Sequence, residues 1–572
     1  MQKFSGVGVS PGRVLGTVRQ MPAPVTEPQA GDQRPADSTA EQEADRLRSA
    51  SKSVQAQLKA RSDAAAKAGN DEAKAVLEAT ALMAADPMLI KSAVKLIEKG
   101  ISAERAVWEA GGTVAETLKG LGGYMAERSQ DVLDVRSRIV AELRGMPAPG
   151  IPASETPFIL AGIDLAPADT ATLDPALVIG LATSEGGPQS HTAILARALG
   201  LPAVVAAPGV EHLQDGVEVF LDGAAGVVVT EPGDEERRLA QTWKEKAGAL
   251  PAFDGHGQLG DGHRIPLLAN IGGASDAVVA AEAGAEGVGL MRTEFCFLDR
   301  DTEPTVEEQV AKYQPAFEAF AGKKMVVRTL DAGADKPLPF LTDASEPNPA
   351  LGVRGYRTRR TDPSVIDRQI QAIGVAAAAA EKNGKGADVW VMAPMIATAE
   401  ETKEFVGLCR EAGIKSAGVM IEVPSAALTA KSILSIADFA SLGTNDLTQY
   451  AMAADRQLGS LAALNDPWQP AVLQLVAATV LGARAASDDV AKPVGVCGES
   501  AADPALAVVL AGIGVSTLSM TSRALPAVSA VLRSVTLAQA QELAQLALGA
   551  LSAGEARAAV RAKLPVLEEL GL

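Results

Sequence analysis

The chain of 572 residues is short of aromatics, histidine, cysteine and positive charge. Aromatic residues make up only 3% of it while 47% is hydrophobic, so its cores must be filled by alanine and branched aliphatics, which suits helix-rich globular domains. Three cysteines, Cys296, Cys409 and Cys497, are widely spaced and odd in number. That excludes a disulfide framework and any zinc-ligand spacing, and leads us to expect a reducing cytoplasm. No apolar run approaches the length of a membrane span, and Met1-Gln2-Lys3-Phe4-Ser5-Gly6 lacks the apolar core of a signal peptide. With 52 Lys and Arg against 70 Asp and Glu, the net charge is −18. No basic patch is available to release counterions from a nucleic acid, whereas a basic protein partner is compatible. The expectation is a soluble intracellular protein of roughly two to four domains.

Against this background one of only four histidines stands out. His191 sits in Gly186-Gly187-Pro188-Gln189-Ser190-His191-Thr192-Ala193-Ile194-Leu195-Ala196-Arg197, after an apolar run, Ala176 to Thr183, of strand character. The glycines free the backbone, and Ser190 or Thr192 can cap a helix whose apolar residues Ile194, Leu195 and Leu199 repeat at helical spacing. A histidine at a strand-to-helix turn lies beside backbone N–H groups and the positive end of a helix, a setting that holds anions. By itself the motif is equally compatible with a turn histidine bonded within its own loop.

The texture of the chain changes several times. Residues 1–20 read as strand and turn, and 21–36 as a polar loop. From about 38 to 145 long alanine-rich helices follow, at Glu41–Ala68, Glu72–Ala85, Pro87–Lys99, Ala103–Leu118 and Met125–Leu143, with Gly and Asp-Pro breaks. Strands return over 146–232 and end in a hairpin-like stretch turned at Asp222-Gly223, so the bundle reads as an insertion in an α/β domain. Residues 233–262 are Gly- and Pro-rich with a short charged helical piece, and read as a linker. Beyond 263, strand-length apolar runs alternate with helical stretches: Leu267–Ala269, Gly287–Met291, Met325–Thr329, Val389–Met392, Gly418–Ile421, Phe439–Leu442, Val494–Val496 and Thr517–Met520. Eight such alternations over roughly 300 residues are the signature of a (β/α)8 barrel. The fold class expected is thus multidomain α/β, divided as 1–20 with 146–232, 21–145, 233–262 and 263–572.

In such a barrel, function gathers at the C-terminal ends of the strands. Asn270, Arg292-Thr293-Glu294, Arg328 with Asp331, Glu422, Asn445-Asp446 and Cys497-Gly498-Glu499 all fall there, with Lys336, Arg354 and Arg456 in the following loops. Several arginines suit a small ligand bearing phosphate and carboxylate, because guanidinium forks match both groups. Glu422 and Asp446 offer two carboxylates to a hard cation such as Mg²⁺, Asn445 can reach a phosphate oxygen, and Cys497 is a candidate proton donor or acceptor.

Long segments carry a resemblance. Gly284-Ala285-Glu286-Gly287-Val288-Gly289-Leu290-Met291-Arg292-Thr293-Glu294-Phe295, Val327-Arg328-Thr329-Leu330-Asp331, Ser441-Leu442-Gly443-Thr444-Asn445-Asp446-Leu447-Thr448-Gln449-Tyr450 and Gly495-Val496-Cys497-Gly498-Glu499, with the His191 motif, resemble the PEP-utilising enzyme family. Within it they are similar to the Enzyme I group of the bacterial sugar phosphotransferase system. The resemblance covers essentially the whole chain. It implies a mobile phosphohistidine domain with an inserted helical bundle, followed by a phosphoenolpyruvate-binding TIM barrel that dimerises. It implies that phosphoenolpyruvate phosphorylates His191 with Mg²⁺ present, that pyruvate leaves, and that the group passes to the phosphocarrier protein HPr, docked on the bundle. His191 matches the phosphorylated histidine and Thr170 a threonine that orients its ring. Arg292, Arg328 and Arg456 match the substrate arginines, with Arg354 and Lys336 in support. Glu422 and Asp446 match the metal ligands, Asn445 a phosphate contact, and Cys497 the acid that protonates the enolate. Leu82, Met83 and Arg128 are candidate carrier contacts, although bundle core is the better reading for each apolar one.

One departure is visible: Pro188-Gln189 stands where the family commonly has an Arg or Lys and a Thr. Pyruvate phosphate dikinases and phosphoenolpyruvate synthases share the histidine domain and barrel but add a nucleotide-binding domain, and no Gly-rich nucleotide loop precedes His191 here. A catalytically silent scaffold would not need the intact set His191, Arg292, Glu422, Asp446 and Cys497.

Overall fold

A computed structural model describes residues 2–22, 25–67, 71–121, 123–152, 154, 156–165, 173–187, 190–246, 250–298, 300–332, 338–343, 345–456 and 458–572. The chain opens with β1 (Lys3–Ser5), β2 (Val7–Ser10) and β3 (Arg13–Gln20). Helices α1 (Ala40–Lys67), α2 (Asp71–Ala84), α3 (Pro87–Glu98), α4 (Ala103–Leu121) and α5 (Gly123–Leu143) follow. Their ends obey local rules. Asp86 caps α3 by accepting from the Met88 N–H at 2.7 Å, and Pro87 occupies the first turn, where its missing N–H costs nothing. The helices bury Leu47, Leu58, Leu89, Ile97, Val107, Val135 and Ile139 against one another.

After the bundle, β4 (Phe158–Gly162) runs parallel to β3, with Thr17 opposite Phe158, and parallel to β5 (Val178–Thr183) on its other side. The helices are therefore inserted between two paired strands. β6 (Ala203–Val205) lies antiparallel to β2. With β7 (Glu218–Asp222) and β8 (Val227–Thr230), the strand order of the 8-stranded sheet is β1-β8-β7-β3-β4-β5-β6-β2.

The second half is a closed barrel of β9 (Leu267–Ile271), β10 (Gly287–Met291), β11 (Lys324–Arg328), β12 (Asp388–Ala393), β13 (Ser416–Ile421), β14 (Ala440–Leu442), β15 (Val494–Val496) and β16 (Thr517–Met520). Every pairing in it is parallel, and strands such as β10 are buried throughout, as expected when helices cover the outer face. Its interior is a column of Leu290, Val326, Met392, Met420, Phe439 and Cys497. At the floor, Trp390 and Phe439 rings lie 4.8 Å apart, and the Lys324 ammonium sits 3.6 Å from the Trp390 ring centre. The Gly- and Pro-rich stretch ahead of the barrel holds a helix, Asp234–Lys246, and gives Phe253 and Leu259 to the barrel core.

Two compact units result. One comprises Met1–Phe4, Leu15–Ser184 and Ala207–Val219; the other comprises Ser5–Val14, Glu185–Ala206 and Phe220–Leu572. The barrel thus shares its unit with the segment that carries His191. Among the described residues no helix is long and apolar enough to cross a membrane.

Candidate active site

The strand ends of the barrel hold a chain of ion pairs. Arg328, at the end of β11, donates from Nη2 to Glu294 at 2.9 Å and places Nη1 3.3 Å from Asp331. Arg354 then bridges Asp331 and Asp446 through Nη2 and Nη1 at 2.9 and 3.0 Å. Arg456 closes the series on the second oxygen of Asp446 at 3.2 Å. All of these carboxylates are buried, and Arg354 is only 4% exposed. Burial alone would raise Asp331; Arg354 and Arg328 outweigh it and hold the acid at about 2. Burial would lower Arg328, but Glu294, Asp331 and Glu422 raise it instead.

Among the described residues, three buried polar atoms of this ion-pair series have no hydrogen-bond partner: Nε of Arg328, Nε of Arg354 and Oδ1 of Asp331. Such atoms are costly in a stable core and typical of a site built for a polar ligand. Glu422 ends β13 at 1% exposure and accepts from the Met395 N–H at 2.6 Å. Met395 adopts φ 59°, a left-handed backbone that a non-glycine residue holds only under constraint. Burial first, then the negative charges of Asp446 and Asp331, push Glu422 up to about 8. A Cβ on Gly443 would stand 2.8 Å from Oε2 of Glu422, so a side chain there would displace the carboxylate.

Cys497 lies 4% exposed at the end of β15, its thiol 3.6 Å from the Leu442 carbonyl. Burial pushes it up to about 11, against the pull of a Ser441 hydrogen bond and Arg328. Arg292 is exposed after β10 and its charge also acts on Cys497. Asn270 donates to the Cys497 carbonyl at 3.0 Å, and Asn445 accepts from the Glu499 N–H at 3.4 Å. The structure therefore gathers Arg292, Arg328, Arg354, Glu422, Asn445, Asp446, Arg456 and Cys497 at one end of the barrel.

The His191–Leu199 helix is capped by Ser190, whose hydroxyl accepts from the Ala193 N–H at 3.3 Å. Of the two cap candidates in the sequence, Ser190 is the one used. The preceding turn lies close to the barrel: a Cβ on Gly187 would fall 2.6 Å from the Arg456 carbonyl oxygen. The His191 side chain, Thr170, Lys336, Pro188-Gln189 and the Arg128 side chain lie outside the described residues. On the bundle, Leu82 is 71% exposed rather than core, whereas Met83 packs against the core.

Two supports escaped the sequence reading. Met395 gave no local signal, because its strain depends on the barrel closing. Gln369 did give one, a lone polar residue on an apolar helix face beside Ile366, Ile370 and Ile373. It accepts from the Leu330 N–H at 2.7 Å and donates to Thr293 at 3.0 Å, bracing two strand ends.

Comparison with known proteins identifies the family. Residues 250–537 match the family model of the PEP-utilising enzyme PEP-binding domain, 5–128 that of the PEP-utilising enzyme N-terminal domain, and 155–226 that of the mobile domain. A phosphoenolpyruvate-protein phosphotransferase of Streptomyces coelicolor is 51% identical over 98% of this chain and 98% of its own. Proteins of the same name from Haloferax volcanii, at 39% identity over 85% of this chain and 86% of theirs, and Bacillus subtilis, at 34% over 91% and 92%, are also similar. The chain belongs to the PEP-utilising enzymes, among the phosphoenolpyruvate-protein phosphotransferases.

Proposed function

We propose that this enzyme transfers the phosphoryl group of phosphoenolpyruvate to His191 and then to a histidine of the phosphocarrier protein HPr, releasing pyruvate as the first step of sugar uptake by the phosphotransferase system. The observation that carries the reading is the placement of the His191 turn in one compact unit with the charged strand ends, Gly187 pressed against the Arg456 backbone. Phosphoryl transfer needs placement and charge neutralisation more than covalent help. Arg292, Arg328 and Arg456 supply positive charge for the phosphate and carboxylate, with Arg354 and Lys336 in support, and Asn445 offers an amide to a phosphate oxygen.

His191 acts as the nucleophile through a neutral imidazole nitrogen, Thr170 orienting the ring. The bridging P–O bond breaks as the N–P bond forms, leaving the enolate of pyruvate. Cys497, protonated because burial raises it to about 11, delivers its proton to the methylene carbon and is reprotonated from solvent.

The donor set also fits Mg²⁺. Glu422 and Asp446 are oxygen ligands of the number this ion usually takes from protein when a substrate phosphate and waters complete its shell. Burial and then the negative charge of Asp446 raise Glu422, and a cation held by these carboxylates would favour its charged form. When bound, the ion neutralises negative charge on the phosphate and the departing oxygen.

The division into a phosphohistidine domain (1–20 and 146–232), a carrier-docking bundle (21–145), a linker (233–262) and a barrel (263–572) belongs to the same reading. So do a swing of the His191 domain between barrel and carrier, a homodimer through the barrel and a cytoplasmic location. Exposed Leu82 and Met88, 71% and 74% accessible, support carrier docking on the bundle.

Incubation with ³²P-labelled phosphoenolpyruvate and Mg²⁺ tests the core of this. The expected result is acid-labile, alkali-stable label on the protein that is lost in His191→Ala. No label, or label that survives the substitution, would overturn it.

A further inference from the structure

Arg197 lies on the same helix as His191, and Glu499 follows Cys497 in the loop after β15. Their side chains meet: Nε of Arg197 stands 2.9 Å from Oε2 of Glu499, with the two side chains 13% and 26% exposed. Glu499 is tied to the strand ends, because its N–H donates to Asn445, the neighbour of Asp446. Arg197 is tied to its own side by Nη1, which donates to the Val9 carbonyl at 3.4 Å. Both residues line a cavity of about 460 Å³ that also exposes Asn445 and Arg456. The pair therefore joins the element bearing the nucleophile to the loop bearing the proton donor.

A bond confined to the helix would have served the helix alone. Arg197 is in its last turn, where a cation already favours the negative end of the dipole. Instead the guanidinium reaches across to a carboxylate anchored on the barrel. A partly buried pair that keeps some contact with water adds little net stability, so it fixes an orientation without preventing release.

We propose that Arg197 and Glu499 form a positioning pair that holds the His191 helix over the barrel mouth for phosphoryl transfer from phosphoenolpyruvate, and that takes no part in transfer to or from the carrier. This rests on the function proposed above. Neither residue is given a part in the chemistry; the pair sets the approach of the imidazole to the phosphorus. Misplacing a reacting group by about 1 Å costs on the order of 10²-fold in rate.

The test uses the full chain in two single-turnover half-reactions. One follows pyruvate release and His191 labelling from phosphoenolpyruvate and Mg²⁺; the other follows labelling of His191 from phosphorylated HPr. Glu499→Gln and Arg197→Gln are expected to slow the first by about 10- to 100-fold and to leave the second within about twofold of the unaltered protein. The exchanged double variant Arg197→Glu with Glu499→Arg is expected to regain about tenfold over the single variants. Unchanged phosphoenolpyruvate-driven labelling in both glutamine variants, equal slowing of both half-reactions, or a folded exchange variant with no recovery would overturn the pair. Absence of labelling from phosphoenolpyruvate in the unaltered protein would instead overturn the proposed function, so the two failures are distinct.

Discussion

The two ends of the barrel bury charge in opposite ways. At the C-terminal strand ends Glu294, Arg328, Asp331, Arg354, Asp446 and Arg456 alternate in sign, and most interior members touch two opposite charges. At the floor a single ammonium, Lys324, is laid on aromatic faces, with Asp388 as the one carboxylate acting on it. The upper network is worth little to stability as a whole, since desolvation offsets attraction, but removing one member strands its partners. Loss of Lys324 would leave only the exposed Asp388 carboxylate, which still accepts from the Trp390 indole. In the proposed function one end of the barrel serves ligand chemistry and the other packing.

The largest break in that contrast is expected at Arg328. Arg328→Ala leaves Glu294 buried without its cation and Asp331 with Arg354 alone, a loss of about 3–5 kcal/mol in unfolding free energy. Phosphoenolpyruvate-dependent pyruvate release should fall by about 10³-fold, the upper end of the scale for removing one charge-stabilising donor. Denaturant unfolding and single-turnover assays read the two effects separately.

Cys497→Ala should be nearly as damaging to turnover, by about 10²- to 10⁴-fold, the range for a positioned proton donor. Its effect on stability should be much smaller, because the thiol is a small hydrophobe here. With the thiol pushed up to about 11, it stays protonated at neutral pH. Iodoacetamide should therefore modify Cys497 only slowly at pH 8 in the folded protein, and rapid modification would contradict the assignment.

At the floor, Lys324→Met should leave pyruvate release unchanged. Burial lowers the Lys324 pKa from 10.5 to about 8, so between those values the unfolded chain binds the proton that the folded one has lost. Stability of the parent should rise relative to the methionine variant as pH increases through that window, by up to about 3 kcal/mol. The aromatic faces favour the charged form and reduce the amplitude. Denaturation midpoints of both proteins at pH 7 and pH 10 measure it.

The smallest effect is expected at Trp390→Phe. It removes the indole hydrogen bond to Asp388 at 2.8 Å, about 1 kcal/mol, and keeps a smaller aromatic face under Lys324, with activity intact. A large loss of activity from either floor substitution would erase the distinction between the two ends.

Much of the architecture was legible locally. The apolar runs marked all the barrel strands to within a residue or two, because a strand buried on both faces needs an unbroken apolar stretch. Asp86-Pro87 marked the start of α3 and Ser190 the start of the His191 helix, because caps are short-range chemistry. The strand ends also announced their charges. What the sequence withheld was who pairs with whom. Arg328, Arg354 and Arg456 read as ligand clamps, yet each is held by carboxylates of the chain itself, a consequence of barrel closure. The left-handed Met395 that presents its N–H to Glu422 is likewise a product of long-range packing. The meeting of Arg197 with Glu499 depends on segments far apart in the chain, and no local pattern encodes it.

The central claim is that one histidine is charged at the barrel and discharged elsewhere. It is tested most directly by ³¹P NMR of Arg328→Ala given either phosphoenolpyruvate with Mg²⁺ or phosphorylated HPr. The account predicts a phosphohistidine signal at His191 from the carrier and none from phosphoenolpyruvate, with both donors giving the signal in the unaltered protein. Phosphorylation of the variant from phosphoenolpyruvate at the parental rate would contradict it.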